Sequence, residues 1–256
     1  MTNTVVPALF SPSEIARYRR HLVLPEIGGS GQQKLKAAHV AVLGAGGLGA
    51  PVIAMLAAAG VGQMTIIDDD VVDVSNLQRQ FIHRTQDQGQ AKTASAARFA
   101  AELNPHTWTH LNPSRLTHEN AAALIVNATL VVDGSDNFVA RRALAAAAQV
   151  ARIPMVTGAV NRFDGSTSVI APHMRDDKGR PAPHFSDLYP DDPPDGLLAS
   201  CAEIGIAGAL TGVIGMLMAM EAIKLITGAG MPLIGRVMLY DGLNAKFSEL
   251  RYKRGG

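Results

Sequence analysis

The chain has 256 residues, with 23 lysines and arginines against 22 acidic residues and a single cysteine. A charge this balanced offers no basic field for nucleic acid, and one cysteine cannot close an internal disulfide, which fits a reducing compartment. The polar start MTNTVVPALFSPSE lacks the apolar region of a signal peptide, so a cytoplasmic location is expected, and the length suits one large α/β domain.

In chain order, Ser11, Pro12 and Glu14 form a capping-box pattern that predicts a short helix through residues 15–21. A glycine-rich link should follow. Residues 38–70 then read as strand, glycine turn, helix and strand, a complete βαβ unit. Helices are expected over 89–105, stopped before Pro105, over 118–126 and over 138–151, with strands at 129–135 and 153–160. This alternation predicts a Rossmann-like parallel sheet covered by helices on both faces. Past residue 160 the pattern changes. A strand at 165–172 comes without an intervening helix, and a polar, proline-rich stretch at 175–196 reads as a lid, a binding loop or disordered chain. An apolar helix over 204–220, bounded by Glu203 and Glu221, precedes strands at 235–242 and 245–252, so antiparallel strands continue the sheet. That helix falls short of the roughly 20 residues a bilayer needs and is expected to be buried, with no membrane partner. Gly208, Gly212 and Gly215 are spaced for close approach of another backbone.

The turn GAGGLG, residues 44–49, follows a strand and opens a helix, where backbone amides and the helix N-terminus face a phosphate. Asp68 closes the second strand, where a carboxylate can take ribose hydroxyls. These features alone fit NAD as well as ATP. The segment SNLQRQF adds Asn76, Arg79 and Gln80, and GQAK adds Lys92. Arginine suits bidentate contact with phosphate oxygens and lysine a point contact, as a triphosphate requires. Taken bare, the same pair could be a solvated face. Cys201 lies in SCAE, where Ser200 could cap the apolar helix and Glu203 stand third. A thiol at the first helical position would be favoured as thiolate; the alternative is a small semi-buried side chain.

The ordered set RYRRHLVLPEIG (17–28), GAGGLG, IIDDD, SNLQRQF, GQAK, ELNP (102–105), DGSDN (133–137), SCAEIG and MEAIK (220–224) resembles the ubiquitin-activating-enzyme-like adenylyltransferases of the MoeB/ThiF family, over nearly the whole chain. The first segment is closest to the molybdopterin branch. The resemblance implies ATP-dependent adenylation of the C-terminal glycine carboxylate of a small ubiquitin-fold sulfur carrier ending in Gly-Gly, with pyrophosphate released. It also implies one adenylyltransferase domain over 1–256, with a nucleotide-binding part at 1–160 and a carrier-binding part at 161–256 that includes the loop 171–200.

By that resemblance Gly44, Gly46, Gly47 and Gly49 cradle the nucleotide, Asp68 holds the ribose, Asn76, Arg79 and Lys92 contact the phosphates, and Asp70 and Gln80 also belong to the nucleotide site. Asp136 is associated with Mg²⁺, beside Asn137, although Asp136 could equally cap the helix after it. Arg20 reaches into the site of the other subunit of a homodimer, the alternative being a solvated helix face. Cys201 forms a covalent carrier link in the thiamin branch and has no such obligatory role in the molybdopterin branch. Most relatives close a zinc site with two C-x-x-C pairs; here HFSD leaves only His184 and Asp187 in place of the first pair, so no structural zinc is expected. The terminal Gly255-Gly256 is read as a frayed end.

Overall fold

The computed structural model describes residues 10–175, 178–191 and 205–255. Helix α1 (Pro12–Leu22) starts as its sequence predicts: the Glu14 N–H donates to Ser11 Oγ at 3.2 Å, and the Ser11 N–H to Glu14 Oε2 at 2.8 Å. The expected glycine-rich link is instead a helix, α2 (Gly28–Ala37). Burial outweighs the weak helix propensity of its glycines. Leu35 is fully buried, and Gln32 joins the ring of His21, at 2.9 Å, to the Ala59 carbonyl, at 2.8 Å.

The βαβ unit is present as β1 (His39–Leu43), α3 (Gly49–Ala59) and β2 (Gln63–Ile67). It is followed by α4 (Lys92–Leu103), β3 (Trp108–Asn112), α5 (Ala121–Leu124), β4 (Leu130–Asp133), α6 (Phe138–Ala151), β5 (Met155–Asn161) and β6 (Asp164–Ile170). Then come α7 (Phe185–Leu188), α8 (Gly208–Thr227), β7 (Arg236–Asp241) and β8 (Lys246–Arg251). The strands form one eight-stranded sheet in the order β3-β2-β1-β4-β5-β6-β7-β8. The first five are parallel and the last three antiparallel.

Alternate strand residues feed two cores, as the period of a strand requires. Val40, Val42, Leu130 and Val132 face α2, α3, α4 and α8, whereas Ala41, Leu43, Val131 and Met155 face α5 and α6. Helix α8 is long and apolar enough to cross a membrane, yet 56% of that stretch is buried, against β5, β6, α2 and α3. It begins at Gly208 and runs through Glu221 to Thr227, later at both ends than the apolar run suggests. Glu221 is not a boundary: its buried carboxylate accepts the Leu233 N–H at 2.8 Å. A side chain at Gly208 would strike the Gln78 carbonyl and one at Gly215 would strike Pro51, but Gly212 faces open space, so only two of the three small positions serve close packing within the chain.

Where the chain carries HFSD, one ring nitrogen of His184 and both carboxylate oxygens of Asp187 have partners. The His184 ring nitrogen Nδ1 pairs with Gln149 Oε1 at 3.0 Å, and the Asp187 carboxylate takes the backbone N–H groups of His184 and Gly255 at 2.6 and 2.9 Å. Gly255 thus bonds to α7, and Gly256, the other residue of the terminal pair, lies outside the described residues.

Candidate nucleotide site

The chain order reverses between β1 and β4: from β1 it runs outward to β2 and β3, then returns to the other side of β1 as β4. Open α/β sheets bind ligands at the carboxyl ends of strands beside such a switch point. A cleft of about 390 Å³ opens there.

The glycine turn forms its floor. Gly44 takes a left-handed φ of +87°, and a side chain on Gly49 would collide with the Gly44 carbonyl, so α3 can start this close to β1 only with glycine at that position. The Ala45 N–H is spent on Asp68 Oδ2 at 2.7 Å. The N–H groups of Gly46, Gly47 and Leu48 have no acceptor among the described residues. Three free amides at a helix N-terminus make an anion site.

The walls come from separate strand ends. Asp68 also accepts the Asp70 N–H at 2.9 Å, and burial pushes its carboxyl above the ordinary range despite these bonds and nearby Lys92. Lys92 is buried at the start of α4, where the helix dipole disfavours a cation. Its one acidic partner among the described residues is the exposed Asp70, at 2.8 Å, so its charge faces the cleft at a cost that a bound anion would offset. Arg79 donates to the Ser75 carbonyl at 3.2 Å and has no carboxylate partner among the described residues. Gln80 is 4% exposed, and its Oε1 is an unpartnered buried acceptor, a sign of a missing ligand donor.

Of the residues the sequence assigns to this site, Gly44, Gly46, Gly47, Asp68, Asp70, Arg79, Gln80, Lys92, Asp136 and Asn137 all line the cleft. Gly49 sits beneath the turn. Asn76 lies outside the cleft lining, in a single turn of 3₁₀ helix (Val74–Asn76) whose last carbonyl accepts the N–H groups of Arg79 and Gln80 at 3.1 and 3.0 Å. Arg20 is exposed on α1. There, Tyr18 bonds Asn104 at 2.8 Å and His21 reaches Gln32, at the end of α3 opposite the glycine turn. Arg20 does not line the cleft of its own chain. Cys201 lies outside the described residues; α8 itself is first capped at Ala207, so the reading that places a thiol at its first position does not hold.

Asp136 is exposed, without a hydrogen bond or ion pair to any described residue. It does not cap α6: that role falls to Asn137, whose Oδ1 accepts the Ala140 N–H at 3.1 Å. A carboxylate with no partner among the described residues, in the lining of a cleft rich in amides and cations, would suit a hard divalent ion.

Sequence reasoning misses Arg115, Asn161 and Arg141 in the lining. Of the three, Arg141 has the clearest structural role. Its Nε stands 2.7 Å from the fully buried Asp133, and Nη2 donates to the Ser135 and Gly158 carbonyls at 3.0 and 2.8 Å. The ion pair thereby fastens β4 and β5 to the loop that carries Asp136. A polar residue ending a buried strand, as at Asn161, is the one local signal; Arg115 and Arg141 have none.

The ThiF family model matches residues 18–255. Over 98% of its length the chain is 43% identical to the probable adenylyltransferase/sulfurtransferase MoeZ of Mycobacterium tuberculosis, and it spans 65% of that protein. It is also 43% identical to the sulfur carrier protein adenylyltransferase of Thermus thermophilus, across 96% of this chain and 90% of the relative. Among solved structures, E. coli MccB with ATP shares the fold at a TM-score of 0.77 and 22% identity, covering 93% of this chain and 72% of that one. On these matches and this cleft, the chain belongs to the ThiF family.

Proposed function

We propose that this chain is an ATP-dependent adenylyltransferase that activates the C-terminal glycine carboxylate of a small sulfur-carrier protein of the ubiquitin fold, ending in Gly-Gly, and releases pyrophosphate. The observation that carries the reading is one cleft that holds, among the described residues, three backbone amides without acceptors, Arg79 without a carboxylate partner, the buried Lys92, and Asp136 without a hydrogen bond or ion pair. Attack of a carboxylate on the α-phosphorus brings two anions together. The chain needs positive groups to place them and to take up charge on the leaving pyrophosphate, and it needs no acid-base side chain.

In this reading the amides of Gly46 to Leu48 and the side chains of Arg79 and Lys92 hold the phosphates, while Asp68 orients the ribose. Asp136 would hold Mg²⁺, which when bound supplies further charge neutralisation on the phosphates. Residues 161–256 form the carrier-binding part, and the name of the Thermus thermophilus relative, sulfur carrier protein adenylyltransferase, supports a sulfur carrier as the substrate. The molybdopterin-type carrier is favoured by RYRRHLVLPEIG. A structural zinc is not part of the reading, because His184 and Asp187 are two possible ligands where a tetrahedral site needs four. The protein works in the cytoplasm as a homodimer in which Arg20, which is exposed and does not line its own cleft, serves the partner's.

Carrier-dependent ATP–pyrophosphate exchange tests this. Exchange with a molybdopterin-type carrier, lowered by Arg79→Ala at least about 100-fold, is expected; no exchange with either a molybdopterin- or a thiamin-type carrier would contradict it. Mixing R20A with R79A protomers should restore part of the activity, and no recovery would refute the shared site.

A further inference from the structure

Ala45 is fully buried at the centre of the glycine turn, and both halves of its backbone are engaged. Its N–H goes to Asp68, and its carbonyl lies 2.9 Å from Nε2 of His83, a buried side chain just beyond SNLQRQF. A carbonyl only accepts, so Nε2 carries a hydrogen whether the ring is neutral or charged. The other nitrogen, Nδ1, lies 2.9 Å from Ser95 Oγ, which stands 2.6 Å from Asp87 Oδ2; Asp87 also accepts from Arg98 and from the Arg84 N–H. The ring is thus held from behind by α4 and the loop before it. The charged groups bearing on it are Lys92, Asp68 and Asp87, and burial keeps its proton affinity below that of an ordinary imidazole.

The described peptide bonds are all trans. In a trans peptide the carbonyl and the following N–H point in opposite directions. Drawing the Ala45 carbonyl inward to His83 therefore turns the Gly46 N–H outward, into the cleft that Gly46 lines. Without the ring, the Ala45 carbonyl would be a buried acceptor with no partner, and the peptide between residues 45 and 46 would be free to rotate.

We propose that His83 is a positioning residue for the nucleotide: its Nε2–H fixes the 45–46 peptide so that the Gly46 amide faces the phosphates. The inference rests on the nucleotide reading above and deepens it. It also predicts that the bond survives titration of the ring, because the hydrogen that matters is present in both charge states.

The test compares the full chain with H83A, H83Q and S95A, measuring binding of a non-hydrolysable ATP analogue, thermal melting, and hydrogen exchange of the Gly46 amide without ligand. H83A should bind about tenfold more weakly and show altered Gly46 exchange. H83Q, whose side-chain amide can donate to the same carbonyl, should bind within about threefold of wild type, and S95A, which removes only the support behind the ring, should lie between. Should H83A fail to fold, the H83Q and S95A results decide. Wild-type affinity in H83A, or equal weakening in H83A and H83Q with normal melting, would overturn the proposal. Failure of the wild-type chain to bind the analogue would sink the nucleotide reading, whereas an unchanged Gly46 exchange in H83A would sink this one alone.

Discussion

Asp136 and Asn137 are adjacent in the chain and do different things. Asn137 closes the first turn of α6, whereas Asp136 lines the cleft without a partner among the described residues. Asp136→Ala is therefore expected to change stability by less than about 0.5 kcal/mol while abolishing most adenylation; Asn137→Ala should cost about 1 kcal/mol. Thermal melts and exchange assays on the two variants check this, and a destabilised D136A with normal activity would return the capping role to Asp136. Most of the cleft is legible in the sequence because it is made of short contiguous segments: GAGGLG, IIDDD, SNLQRQF and GSDN each bring several lining residues at once. Arg115 and Arg141 are not, because each enters the cleft from a different strand end or helix, and only the folded sheet brings them together. The Asp136 ambiguity has the same origin: D and N are both good caps, and which one turns inward depends on the strand that precedes them.

At the level of elements, the connection from β4 to α6 depends on the Asp133–Arg141 pair. Both partners are buried, and Asp133 is further satisfied by Thr157 Oγ1 at 2.8 Å and Ser135 Oγ at 2.6 Å. Asp133→Asn leaves a buried guanidinium without its counter-charge and should cost about 3–5 kcal/mol, read as a lower denaturation midpoint; a loss below about 1 kcal/mol would mean that the pair is solvated in solution. Helix 138–151 and strands β4 to β6 are legible because apolar periodicity and burial agree. Helix α2 and strand β3 are not. The glycines of α2 argue against a helix that only its packing on α1, α3 and α8 can hold, and β3 is an exposed edge strand whose residues, WTHLN, lack a buried alternating face.

For the whole molecule, burial holds His39, His83 and His173 below the ordinary imidazole value. Below about pH 6.5 the unfolded chain takes up protons that the folded chain refuses, so stability present above that pH is lost as pH falls towards the folded values. The thermal midpoint should drop between about pH 7.5 and pH 5.5, and H83Q should flatten the drop; a midpoint that rises over this range would contradict the assignment. The sheet carries the nucleotide cleft on its parallel half and continues, without a break, into the antiparallel strands of the part assigned to the carrier. The most direct test of adenylation is mass spectrometry of a molybdopterin-type carrier incubated with the chain, ATP and Mg²⁺. The account predicts a carrier heavier by one AMP at its C-terminal glycine, with pyrophosphate released. A carrier heavier by one phosphate with ADP released, or an unmodified carrier despite bound ATP, would contradict it.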